Sequence, residues 1–128
     1  MATLQATGDA AATMPAGARP PVDHDHLARY TFGNKALEIE VLNLFAEQVP
    51  EYLGRLHHAA TEKDWRNAAH TLKGSAMAVG AVRVAELAER AEALCHSADA
   101  GARGAVLAAL AEAIDEVRSH IAGLDRQH

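Results

Sequence analysis

The chain has 128 residues, of which 49% are hydrophobic, 23% charged and 4% aromatic, enough for one domain with a modest core and too little for two. Nearly a quarter of the residues are alanine while Val, Ile and Thr are sparse, a balance that suits close-packed helices and argues against an all-β fold. Twelve Lys and Arg stand against 17 Asp and Glu, for a formal charge of -5, which speaks against a broad surface for nucleic acid or anionic lipid.

Residues 1–21 mix Ala, Thr, Gly and Pro without periodicity and end in Pro20-Pro21, so they read as a flexible tail. Asp23 is placed to cap a short helix over about 24–31, and Gly33-Asn34 breaks it and offers Asn34 as the next N-cap. Leu37, Val41, Leu44, Phe45, Val49, Tyr52, Leu53 and Leu56 then recur at three- and four-residue steps, predicting a long helix to about His58 with a bend at Pro50. Asp64 is the expected N-cap of a third helix with the stripe Trp65, Ala69, Leu72, Ala76 and Val79, ended by Gly80. A fourth, over about 82–97, turns Val84, Leu87, Ala88, Ala91, Leu94 and Cys95 inward and Arg83, Glu86, Glu89 and Arg90 outward. Asp99 to Gly104 reads as a turn before a fifth helix on Val106, Leu110, Ala113, Val117, Ile121 and Leu124, ending near Gly123. The expected fold is all-α: an antiparallel four-helix bundle over 22–124 with a short additional N-terminal helix as a lid, and residues 125–128 as the C-terminal end.

The single cysteine, Cys95, excludes an internal disulfide and an all-cysteine metal site. No apolar run approaches the ~20 residues needed to span a bilayer, and the start lacks a signal-peptide pattern, so a cytoplasmic protein is expected. Eight histidines invite a metal reading, but none makes an i, i+4 pair with another ligand-type residue around an obvious site. No metal site is expected, and most of these histidines read as solvated.

His70 differs because of its setting. At ~100° per residue it falls about 140° from the centre of the third helix's apolar stripe, on the solvent side. Arg66 lies one turn before it, Lys73 and Gly74 one turn after, and Met77 two turns after. Gly74 inside a helix costs about 1 kcal/mol relative to alanine, and a missing side chain there lets another protein approach the imidazole closely. Arg66, Lys73 and Arg83 are the only charges between Trp65 and Ala85, so a local cationic island surrounds the ring. Such a histidine suits a phosphoryl acceptor, because neutral imidazole is nucleophilic near pH 7 and cations stabilise the attached dianion. A plain solvated helix face with a tolerated glycine is the equally weighted alternative on spacing alone.

Residues 69–81, AHTLKGSAMAVGA, resemble the signature of histidine-containing phosphotransfer (HPt) domains, with Leu72, Lys73, Gly74, Ser75 and Gly80 at the family's spacing after His70. The resemblance extends through DHDHLARYTFGNKALEIEVLNLFAEQVPEYLGRLHHA, Asp64-Trp65 and VAELAERAEAL, so it covers roughly 22–124, and Ala76 departs from a second Ser in many members. It implies a phospho-accepting role for His70, a phosphate-side charge for Lys73 and steric clearance at Gly74; Arg66, Asn67 and Met77, on the exposed face of the same helix, are the expected partner-binding residues. It also implies a phosphorelay carrier rather than an enzyme, which takes a phosphoryl group from the phospho-aspartate of one receiver domain and passes it to a response regulator. The implied partners are receiver domains, with no nucleic acid or membrane, and the implied cofactor set is empty, Mg²⁺ being expected on the receiver only. A short single bundle points to a monomer. The chain fits a free-standing shuttle and equally a fragment of a hybrid kinase. The alternative is a helical adaptor or inhibitor that docks on a receiver or histidine kinase without carrying phosphate.

Overall fold

The computed structural model describes residues 20–94 and 100–127; most of the expected tail, Cys95 and the expected start of the 99–104 turn lie outside them. The described chain forms five α-helices and, among these residues, no strand: α1 (His24–Thr31), α2 (Lys35–His57), α3 (Glu62–Val79), α4 (Val82–Ala93) and α5 (Ala100–Gln127). Helices α2, α3, α4 and α5 close a ring, each packing on two others, while α1 lies on α2 and α3. None of the helices is long and apolar enough to cross a membrane.

The caps explain the element boundaries. Asp23 accepts a hydrogen bond from His26 N–H and Asn34 one from Leu37 N–H, starting α1 and α2 where expected. For α3 the cap is Thr61, whose hydroxyl accepts from Asp64 N–H; Asp64 is therefore inside the first turn, where its charge suits the helix dipole, and is not the cap itself. Gly80 ends α3 in the left-handed region at φ 77°, with Ala81 N–H bonded to Ala76 O at 2.9 Å and Gly80 N–H to Met77 O at 3.2 Å, the Schellman pattern.

Expectations for α5, α4 and α2 also need correction. The stretch from Ala100 to Gly104 is helical rather than a turn, and α5 continues beyond Gly123 to Gln127. Gly101 and Gly104 each cost this helix about 1 kcal/mol relative to alanine, but the alanines around them are strong helix formers, and Arg103 in its first turns lies over the Trp65 ring at 5.9 Å. The fourth helix stops at Ala93, short of the expected 97, with Leu94 extended. In α2 the buried stripe is Glu38, Leu42, Phe45, Val49 and Leu56, so Leu37 and Leu44 face solvent. The stripe is rotated because a carboxylate, Glu38, is taken inward by Thr31 Oγ1 and His24. The helix also runs unbroken through Pro50. Proline removes the N–H that would reach Ala46 O, and Arg118 of α5 donates to that carbonyl instead, at 3.4 Å.

The core holds Trp65, Ala69, Leu72, Ala76 and Val79 from α3 with Val84, Leu87, Ala88 and Ala91 from α4 and Val106, Leu110, Ala113, Ile114, Val117 and Ile121 from α5. Trp65 Nε1 donates to Ala91 O at 2.7 Å, satisfying a carbonyl near the end of α4. Val22 and Leu27 are buried beneath α1, and Asp23 N–H donates to Gly80 O at 2.7 Å, tying the start of α1 to the end of α3.

Gly80 thus meets two demands at once: a left-handed backbone, and a Cβ-free approach, since an added Cβ would stand 2.8 Å from Asp23 O. Gly80→Ala is expected to cost about 1–3 kcal/mol from backbone conformation alone and more from that contact. Chemical denaturation of the variant should show the loss, with α1 the first element to lose protection; an unchanged midpoint would contradict this.

Candidate functional site

The rotation of α3 decides what it displays. Ala69, Leu72 and Ala76 are fully buried, which leaves His70 pointing outward with its side chain 67% exposed. Lys73 starts from the same face but lies down across the seam to α4, and its side chain is only 23% exposed. Gly74 is exposed, and an added Cβ there would meet nothing within 4 Å.

Across the seam stands Glu92 of α4. One carboxylate oxygen, Oε2, is 2.9 Å from His70 Nδ1 and the other, Oε1, is 3.0 Å from Lys73 Nζ. The hydrogen bond from Lys73 holds the Glu92 carboxyl below its ordinary range, partial burial opposes this, and the bond from His70 adds to the lowering. An ionised carboxylate only accepts, so the proton of that bond sits on Nδ1. In the neutral ring the lone pair is then on Nε2, and among the described residues no other group bonds that ring.

Glu92 corrects the expected cationic island. Arg66 is also changed, because its guanidinium is paired to Glu62 at 2.7 Å, back toward the start of α3, instead of standing as a free charge beside His70. Asn67, one turn before His70, is exposed and borders a groove with Arg55, His58 and Thr71. Met77 is 57% exposed and borders a different groove of about 280 Å³, which runs from Lys73 past Ala76 and Ala85 to Asp23 and His26 of α1. Thus Lys73 and Glu92 meet His70 directly, Gly74 and Met77 flank it, and Arg66 and Asn67 stay outside the contact.

Glu92 was legible only in part. It lies one turn beyond the fully buried Ala88 and one heptad beyond Ala85, which puts it at a helix border and not on the solvent face. That it meets His70, 22 residues earlier, depends on how α3 and α4 pair. Nor are all the remaining histidines solvated: His24 and His120 contact each other. Among the described residues no three His, Cys, Asp or Glu side chains are grouped to hold a metal ion.

This arrangement offers an outward, unhindered imidazole in one tautomer, a carboxylate that can balance positive charge on the ring, and an ammonium group beside it. A family model described as Hpt domain matches residues 40–120, more than half of the chain. Searches of curated proteins and of solved structures give no match.

If Glu92 sets the tautomer, long-range ¹H–¹⁵N correlation spectra above the histidine titration range should show His70 with its proton on Nδ1. In Glu92→Ala, Nδ1 loses its acceptor, and the ring should move toward the mixed tautomers of a free imidazole. Identical ring ¹⁵N shifts in the two proteins would show that Glu92 does not fix the proton.

Proposed function

The chain belongs to the Hpt domain family, and from that membership we propose that it carries phosphoryl groups on His70 Nε2 between receiver domains of a phosphorelay. Membership supports histidine phosphotransfer as the activity and a carrier as its mode. One observation carries the assignment to His70: it combines an exposed ring with an Nδ1 held by an ionised carboxylate.

The proposed step is an in-line displacement at phosphorus. The Nε2 lone pair attacks the aspartyl phosphate of the partner, the N–P bond forms, and the P–O bond breaks with its electron pair going to the aspartate carboxylate. The ring keeps its Nδ1 proton and becomes positively charged, and Glu92 Oε2 faces that charge as it develops. Lys73 keeps Glu92 ionised and lies beside the incoming phosphoryl oxygens. The reverse transfer uses the same groups in the opposite order. Any Mg²⁺ comes with the receiver, whose acidic pocket it would occupy, and the chain supplies nucleophile and docking face.

Small neighbours fit this step. Gly74 leaves the approach to Nε2 open, and the exposed Met77 offers an adaptable apolar contact to more than one partner. Connections of a few residues between α2, α3 and α4 support an antiparallel bundle, and we take the working unit to be a cytoplasmic monomer that meets a sensor-kinase receiver and a response regulator in turn.

His70→Gln should abolish label transferred from phosphorylated receiver domains while leaving helix content intact. In the parent protein the label should be lost in acid and stable in alkali, as a phosphoramidate is; label retained by the variant, or stable to acid, contradicts the assignment. Gly74→Gln separates folding from transfer. Its side chain projects over the preceding turn toward His70, where the aspartyl phosphate must come within about 3–3.5 Å. Thermal stability should be unimpaired and transfer severely slowed, whereas Gly74→Ala should stabilise the fold by roughly 0.4–1 kcal/mol. Transfer by Gly74→Gln at the parent rate would rule out the clearance role.

A further inference from the structure

The His24–His120 contact has no part in the proposed transfer. His24 is the first residue of α1 and His120 lies near the end of α5, yet their Nε2 atoms are 2.7 Å apart, with ring centroids 5.0 Å apart and tilted by 44°. On its other side, His24 Nδ1 is 3.5 Å from Glu38 Oε1, an ion-pair distance longer than a well-made hydrogen bond. Glu38 is itself buried, accepts from Thr31 Oγ1 at 3.3 Å and lies 3.7 Å from Lys35 Nζ. The charged groups around the pair are therefore Glu38 and Lys35 from α2, with Glu116 one turn before His120 on α5. Among the described residues, α3 and α4 place no ionic contact on either ring.

Two ring nitrogens at this distance can share one proton, with one nitrogen donating and the other accepting through its lone pair. With a proton on each of the two Nε2 atoms neither nitrogen can accept, the N–H groups point at each other, and the contact is lost. Other links hold α1 as well: Val22 and Leu27 are buried beneath it, and Asp23 N–H reaches Gly80 O. These lie in or just before its first turns, Thr31 Oγ1 ties its last residue to Glu38 of α2, and a helix of eight residues has little stability of its own.

We infer that His24 and His120 form an acid-sensitive latch that fastens α1 to α5, and that taking up a second proton at the pair loosens α1 from the bundle. Burial, and secondarily the charge of His24, push His120 below its ordinary value. A released His120 accordingly takes up its proton at higher pH than a latched one. The latch is at full strength above the ordinary histidine pKa of about 6.5 and weakens as pH falls below it. Since Asp23 and His26 of α1 form one wall of the groove that reaches Lys73 and Met77, the shape of the face beside His70 becomes pH-dependent.

The test needs no phosphoryl donor, so its outcome is separate from that of the transfer reading. Amide hydrogen exchange of the full chain is measured about one unit above and about one unit below the ordinary histidine pKa, corrected for intrinsic exchange. Exchange in peptides spanning α1 should accelerate at the lower pH, by up to about tenfold per pH unit for one added proton, while the cores of α3 and α5 stay protected. His120→Gln should abolish the pH response, whether its amide keeps α1 docked or lets it exchange quickly at both pH values. His26→Gln, which alters the other histidine of α1, should retain the response. Direct NMR titration of the His120 ring in the parent protein should give a midpoint below the ordinary value that coincides with release of α1. A pH-independent α1, a parent-like response in His120→Gln, loss of the response in His26→Gln, or an ordinary His120 midpoint would each overturn the latch.

Discussion

The packing of α3 against α4 governs the rest of the molecule. On α3 the buried face includes Ala69, Leu72 and Ala76, all fully buried, and from α4 come Val84, Leu87, Ala88 and Ala91. Alanine on both sides allows close approach of the helices, and close packing resists their rotation because a turned helix would leave a gap at these positions. That rotation faces His70 outward beside the buried Ala69, and places Glu92, one turn from the buried Ala88, across the seam from it. The reactive geometry is therefore a by-product of core packing, held by rigid helices rather than by a loop.

One carboxylate then does two jobs with its two oxygens. By accepting from Lys73 it remains ionised, and by accepting from His70 Nδ1 it selects the tautomer that leaves the lone pair on Nε2. The lysine is best understood through this pair: it is tied to Glu92, and in the proposed transfer it would become a charge partner for phosphate once a docked protein excludes water and strengthens the interaction. Arg66, by contrast, is a surface pair with Glu62 of the kind that contributes little. Local balance at the site is thus closer to neutral than the count of Arg66, Lys73 and Arg83 along α3 and its exit implies.

The sequence carried the features that arise within one element. Caps at Asp23 and Asn34, the stop at Gly80 and the whole stripe of α3 follow from short-range rules, and the exposure of His70 follows from the same stripe. Features made between elements were not legible. Glu92 meets His70 only because α3 and α4 pair in one register, and His24 finds His120 across 96 residues. In α2, hydrophobicity alone chose Leu37 and Leu44 over Glu38, since a buried carboxylate is favourable only when Thr31 and His24 are there to receive it. At the start of α5, glycine alone predicts a break, although alanine on both sides and the stacking of Arg103 on Trp65 sustain the helix.

The central claim is that Glu92 determines which atom of His70 carries the phosphoryl group. The most direct measurement is ³¹P and ¹⁵N NMR of the protein phosphorylated by a receiver domain, read for the ring nitrogen bonded to phosphorus. The account predicts phosphorus on Nε2 of His70, with Nδ1 still protonated toward Glu92. Phosphorus on Nδ1, or on any other residue, would contradict it.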